Sequence, residues 1–151
     1  MNKKFLYGNV YDYSQDIEDF EEYNYHFDLS IKIKNMTFSE SFQFLLSEER
    51  IGLNLSNREL SKLCFINEKA LRNYKKGKNI PSFQKLVLIC LGLNLRPCIS
   101  NELVSKIGIN KCEMNKDYQK LYFYILDHFY KEDIQKVNEF VKNIYPEQTL
   151  I

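Results

Sequence analysis

The run SNRELSKLCFINEKALRNYKKGKNIPS, residues 56–82, decides how the rest of the chain is read. Ser56 followed by Glu59 is a capping box: the Ser hydroxyl accepts the backbone N–H three residues on, and the Glu carboxylate reaches back to the Ser N–H. A helix therefore starts there, with Leu60, Leu63 and Cys64 facing inward. Asn67 suits the next N-cap and Gly77 the left-handed position that closes a helix, so a second short helix is expected from Asn67 to Gly77. Only Phe65 and Ile66 lie between the two. Ser61 is small where the helices must cross closely, and Leu60, Ile66 and Leu71 supply the apolar contacts between them. Two short helices joined by so tight a turn make a helix-turn-helix, whose second helix is exposed for groove reading.

That second helix has two chemical faces. Ala70, Leu71 and Tyr74 point to the core, whereas Lys69, Arg72, Asn73 and Lys76 recur at i, i+3, i+4 and i+7 on the opposite side. Arg or Lys donates to the guanine edge, Asn pairs with adenine, and neighbouring lysines such as Lys78 neutralise phosphates. Asn57 and Arg58 open the first helix, where backbone amides and side chains can hold a phosphate. The charge balance agrees. The whole chain has 21 basic and 20 acidic residues, net +1, but residues 56–82 hold seven Lys or Arg against two Glu, net +5. Residues 1–35 hold four Lys against seven Asp or Glu, net −3, so charge is segregated along the chain.

From Leu60 to Ser82 the chain resembles, without a gap, the helix-turn-helix of the Cro and phage-repressor (XRE-type) family. Leu60-Ser61, Ile66-Asn67, Leu71, Gly77-Lys78 and Pro81-Ser82 occupy the positions that carry the resemblance. It implies a four- or five-helix DNA-binding domain covering a little over a third of the chain. It further implies that Glu68, Lys69, Arg72 and Asn73 stand at recognition-helix positions, and that Asn57 replaces a phosphate-contacting Gln. Leu93-Asn94-Leu95 and the segment Leu103 to Gly108 resemble a helical extension found in a Firmicutes-type branch of the family. The departures are Phe65 in the turn where the family has Gly, Lys75 in place of a frequent Glu, and the acidic Glu68 at the groove-facing start of the helix.

Outward from this core, the period of about 3.6 continues. Thr37 with Glu40 forms another capping box, ahead of a stripe of Phe38, Phe42, Leu45 and Leu46. Further helices are expected from Ser82 to Gly92, from a Ser100 cap to Gly108, from Asn115 to about Tyr130, and from Glu132 to about Ile144. Before Met36 the period is two. Tyr23, Tyr25, Phe27, Leu29, Ile31 and Ile33 alternate with polar residues, which predicts a half-buried strand with His26 on its polar face. Phe5, Tyr7, Tyr11 and Tyr13 share the odd parity and predict a weaker second strand, joined to the first by the acidic residues 14–22. A lone hairpin is marginal in water, so its apolar face must cover helices or another copy.

The expected architecture is thus mainly α with a small β part. Residues 1–35 form an aromatic and acidic β-hairpin appendage, residues 36–110 the helix-turn-helix domain, and residues 111–151 a C-terminal helical pair. At 151 residues and 18.1 kDa, with 44% apolar residues, the chain is long enough for one ordinary domain with an appendage. Of its 22 aromatics, eight precede Met36 and eight lie from Tyr118 onward, which suits mutual packing or a dimer interface.

The longest apolar run, Leu86 to Leu91, falls well short of the roughly 20 residues that cross a bilayer, and no signal-peptide core follows Lys3 and Lys4. A cytoplasmic protein without membrane association is expected. Cys64, Cys90, Cys98 and Cys112 contain no CxxC pair and stand apart from His26 and His128, so no metal and no cofactor are expected. Phosphate loops, GxSxG and HExxH are absent, and Asp16, Glu18, Asp19, Glu21 and Glu22 read as a solvated acidic segment. The expectation is a non-enzymatic DNA-binding transcriptional regulator, acting as a homodimer on double-stranded DNA. The alternative is the same fold reused as a protein-interaction module of a phage- or defence-related system, with a protein partner in place of DNA. A third idea has the acidic segment Asp12 to Asp28 folding over the basic helix and masking it.

Overall fold

The structure, a computed structural model, describes residues 12–109 and 117–151. Over these the protein is all-α: eight helices and no strand. They are α1 (Ser14–Lys32), α2 (Phe38–Ser47), α3 (Asn57–Cys64), α4 (Glu68–Lys76), α5 (Phe83–Gly92), α6 (Pro97–Lys106), α7 (Asp117–His128) and α8 (Ile134–Ile144).

The expected N-terminal hairpin is therefore corrected where the chain is described. Tyr23 to Ile33 lies in or at the end of α1, and the acidic residues 14–22 are its first turns rather than a loop. Phe5, Tyr7 and Tyr11 lie outside the described residues, and Tyr13 immediately precedes the helix. The misreading has a geometric cause. Tyr25, Leu29 and Ile33 form one i, i+4 series and Tyr23, Phe27 and Ile31 another, displaced by two residues and hence by about 200° around the axis. Two apolar stripes on opposite faces of one helix leave a sequence with a period of two. The first stripe is docked on α6, with Leu29 and Ile33 fully buried, and the second is exposed.

Side-chain caps fix most of the other starts. Thr37 with Glu40 and Ser56 with Glu59 are complete capping boxes; Asn67, Ser82 and Asp133 accept backbone N–H groups at the starts of α4, α5 and α8. The sixth helix departs from expectation. It begins at Pro97, whose fixed φ and missing N–H suit a first helical turn, and Ser100 is a buried interior residue whose hydroxyl donates to the Leu95 carbonyl at 3.3 Å. The start expected at Asn115 lies outside the described residues, as does Cys112.

Helix α5 is the centre of the core. Every side chain from Leu86 to Leu91 is buried, and α3, α6, α7 and α8 all pack on it. A helix apolar on all sides must be enclosed, and this one is. Its last residue, Gly92, is where α3 comes closest: a Cβ there would stand 2.6 Å from Cys64 Sγ and 3.1 Å from the Leu63 carbonyl oxygen. Close approach, not helix termination, explains this glycine, since the left-handed residue falls at Asn94 (φ 52°) instead. The C-terminal tail is held too. Gln84 donates to the Leu150 carbonyl at 2.8 Å, and the Asn138 side-chain oxygen accepts the Leu150 N–H at 2.7 Å.

Candidate nucleic-acid interface

The chain leaves α3 through Phe65, which adopts the left-handed conformation at φ 58°, ψ 37°, the geometry glycine takes without strain. The Ser61 hydroxyl donates to the Ile66 carbonyl at 2.6 Å and ties the turn back to α3. Asn67 then caps α4, its side-chain oxygen accepting the Ala70 N–H at 2.8 Å. Leu60, Cys64, Ile66, Leu71 and Tyr74 are buried between the helices and the core. At its far end α4 closes in a Schellman motif: Gly77 is left-handed (φ 75°), the Lys78 N–H reaches the Asn73 carbonyl at 3.0 Å, and the Gly77 N–H reaches Tyr74 at 3.3 Å. Helix α2 clamps this end, with the Ser39 hydroxyl and the Gln43 amide both donating to the Lys75 carbonyl. A nine-residue helix is thus fixed at both ends and along one face.

Its other face is open. Lys69, Arg72 and Lys76 are exposed on α4 and Lys78 just beyond it, and none has an ion-pair partner among the described residues. Asn73 and Glu68 are half-buried, Glu68 in the first turn where a carboxylate suits the helix dipole. Arg58 is exposed at the start of α3. Asn57 has a partner within the protein. It is half-buried, and its side-chain oxygen accepts a hydrogen bond from Lys75 Nζ, joining the α3 start to α4. Burial lowers the Lys75 pKa, and this lysine, noted in the sequence only as a departure, acts as a strut between the two helices. No local pattern reveals that role, because it joins residues 18 apart.

The acidic face of α1 goes elsewhere. Arg96, almost wholly buried at the α6 N-cap, donates from Nη2 to Asp19 at 2.5 Å, lies 3.5 Å from Glu22, and donates from Nη1 to the Tyr130 hydroxyl at 3.1 Å. Lys131 joins the same carboxylates at 3.6 and 3.7 Å. The hydrogen bond from Arg96, reinforced by the Arg96 and Lys131 charges, lowers the Asp19 pKa. His26, expected on a solvated face, is buried here, and its Nδ1 accepts the Arg96 backbone N–H at 3.2 Å. So Asp19 and Glu22 join α1 to α6 and to the α7–α8 turn rather than to α4. The two buried cysteines, Cys64 and Cys90, have their thiols pushed up to about 12 by burial and are unreactive core residues.

A cleft of about 600 Å³ lies between the α2 start and the α4 end, lined by Thr37, Ser39, Lys76, Asn79 and Lys106 among others. Lys106 is committed to structure: its Nζ donates to the Ile33 and Met36 carbonyls at 2.6 and 2.7 Å, holding the end of α1. No helix among the described residues is long and apolar enough to cross a membrane, and none of their His, Cys, Asp or Glu residues form a group able to hold a metal ion. No family model, curated protein or solved structure matches this chain.

Proposed function

We propose that the protein is a non-enzymatic, cytoplasmic transcriptional regulator that places α4 in the major groove of double-stranded DNA as the recognition helix of a helix-turn-helix. The observation that carries this reading is the outward face of α4, where Lys69, Arg72 and Lys76 stand exposed and, among the described residues, without an ion-pair partner on a helix fixed at both ends. A solvated basic helix needs no such anchoring, whereas groove reading needs side chains held in one register. Lys69, Arg72 and Asn73 read base edges; Lys76, Lys78 and Arg58 meet phosphates, and the α3 N-terminus adds its backbone amides. Asn57, bound to Lys75, contributes by fixing α3 against α4 and has its amide N–H groups left for a phosphate. The resemblance of residues 60–82 to the Cro and phage-repressor family supports the same reading, and with it a homodimer on two half-sites.

Selection from random duplex DNA at near-physiological salt tests this. The native chain should enrich a motif with half-sites about 10 base pairs apart. Lys69→Ala with Arg72→Ala should lose it, at about 1–3 kcal/mol for each base-contacting residue. Retention of the motif by the double variant overturns the assignment of α4 as reader.

A second reading has one observation in its favour. Leu63 and Phe65 are exposed beside the α3–α4 turn, an apolar edge suited to a protein partner in a phage- or defence-related system. Under it the selection enriches nothing, and substitution of Lys69 and Arg72 leaves nucleic-acid behaviour flat.

A further inference from the structure

Helix α1 turns toward solvent a stripe that its packing on α6 does not use. Ile17, Phe20, Phe27 and Ile31 are 56%, 63%, 42% and 56% exposed, and Tyr23 lies between them, its ring stacked on Phe20 and Phe27 with centroids 6.4 and 6.2 Å apart. Positions 17, 20, 24, 27 and 31 step by three and four, the seven-residue repeat of helices that pair along a seam. Ile17 and Ile31 stand at its ends, Phe20 and Phe27 inside them and Asn24 at its centre. The five apolar side chains leave on the order of 600 Å² open on each copy, at the upper limit of the apolar patch a monomer ordinarily carries. Two such faces together approach about 1,200 Å², where specific interfaces begin.

We propose that this face is covered by the same face of a second copy of the chain, so that α1 is the dimerisation helix. Asn24 points to a like partner rather than to an unrelated apolar segment. It is exposed in the middle of the stripe, seven residues from Ile17 and seven from Ile31. A two-fold axis therefore sets Asn24 beside its own copy whether the partner helix runs parallel or antiparallel. Each amide can donate to and accept from the other, while every slipped register leaves both facing hydrocarbon. An apolar partner of different sequence would gain nothing from an amide there. Glu21 and Asp28 flank the seam with no basic side chain at the matching positions, so pairing brings like charges together and tightens as salt screens them. Phosphate binding has the opposite salt dependence. The inference gives the proposed regulator's dimer its surface. It rests on that reading for the dimeric state alone, and its test contains no DNA.

Sedimentation of the full chain without DNA decides it. The wild type should reach dimer at micromolar concentration, and raising salt from 50 to 500 mM should tighten association several-fold, by about the loss of like-charge repulsion. Phe20→Glu with Phe27→Glu should require at least about tenfold more protein to dimerise while keeping the wild-type helical circular dichroism and, at concentrations where both chains are monomeric, the wild-type melting midpoint, both side chains being exposed on the single copy. If that variant misfolds, Ile17→Ser with Ile31→Ser takes its place. Asn24→Cys should give an oxidised dimer absent from wild type treated identically, which controls for the native thiols. A wild type that stays monomeric at about 200 µM, a glutamate variant that dimerises as tightly, or a dimer that weakens with salt overturns the proposal.

Discussion

Phe65 occupies a left-handed turn position at φ 58°, where an L side chain costs about 1–2 kcal/mol relative to glycine. The turn survives because the Ser61 hydroxyl and the Asn67 cap hold it from both sides. Phe65→Gly should therefore unfold within about 1 kcal/mol of wild type in urea, relief of strain offsetting lost packing and the greater freedom of the unfolded chain. Phe65→Val, β-branched and worse suited to positive φ, should lie about 1–2 kcal/mol below the glycine variant. A valine variant as stable as the glycine one would show that the turn is not strained. His26 makes a pH prediction. Burial lowers its pKa, the Arg96 and Lys131 charges add to this, and Glu22 opposes it. Below about pH 6.5 the unfolded chain takes up a proton there that the folded one resists, so stability falls as pH drops and is untouched above that value. Asp19, with its pKa lowered by Arg96, adds a loss at still lower pH, as the medium falls through its folded value. His26→Asn keeps an acceptor for the Arg96 N–H and cannot titrate. Its urea midpoint should not decline between pH 6.5 and 5 in the way the wild-type midpoint does.

At the scale of elements, the contact between α3 and α5 bears on the proposed recognition. Gly92→Ala puts a Cβ against Cys64 Sγ and the Leu63 carbonyl, and a backbone carbonyl cannot rotate away. About 1–3 kcal/mol of overpacking should lower the melting temperature, and the DNA affinity proposed for α4 should fall with it because α3 sets the position of α4. An unchanged melting temperature would mean that the two helices can separate freely. The two helices of the interface were legible in the sequence because their signals are local: Ser56 with Glu59, Asn67 and Gly77 each act within one turn. Helix α1 was not. Its two opposed stripes share odd parity and imitate a strand, and only the docking of Leu29 and Ile33 on α6 separates them. The start of helix α6 is expected four residues late, at a Ser100 cap instead of Arg96, because Ser100 has the chemistry of a cap while Pro97 has the geometry of a first turn.

Across the whole molecule, what the sequence left hidden is what joins distant residues. The Lys75–Asn57 strut, the Lys106 clamp on the end of α1 and the Asn138 grip on the tail have no periodic signature, since each depends on where two helices happen to meet. Arg96 is the most far-reaching of them. Its partners Asp19 and Tyr130 precede and follow it by 77 and 34 residues, so one guanidinium unites the first helix, the sixth and the α7–α8 turn. The order of synthesis gives this joint a further meaning. Helix α1 is made 77 residues before its anchor, an interval of roughly 4–15 s at 5–20 residues per second. Through that interval the helices of the candidate interface can assemble from local contacts. The first helix must wait with both apolar faces uncovered, in reach of neighbouring nascent chains on the same message.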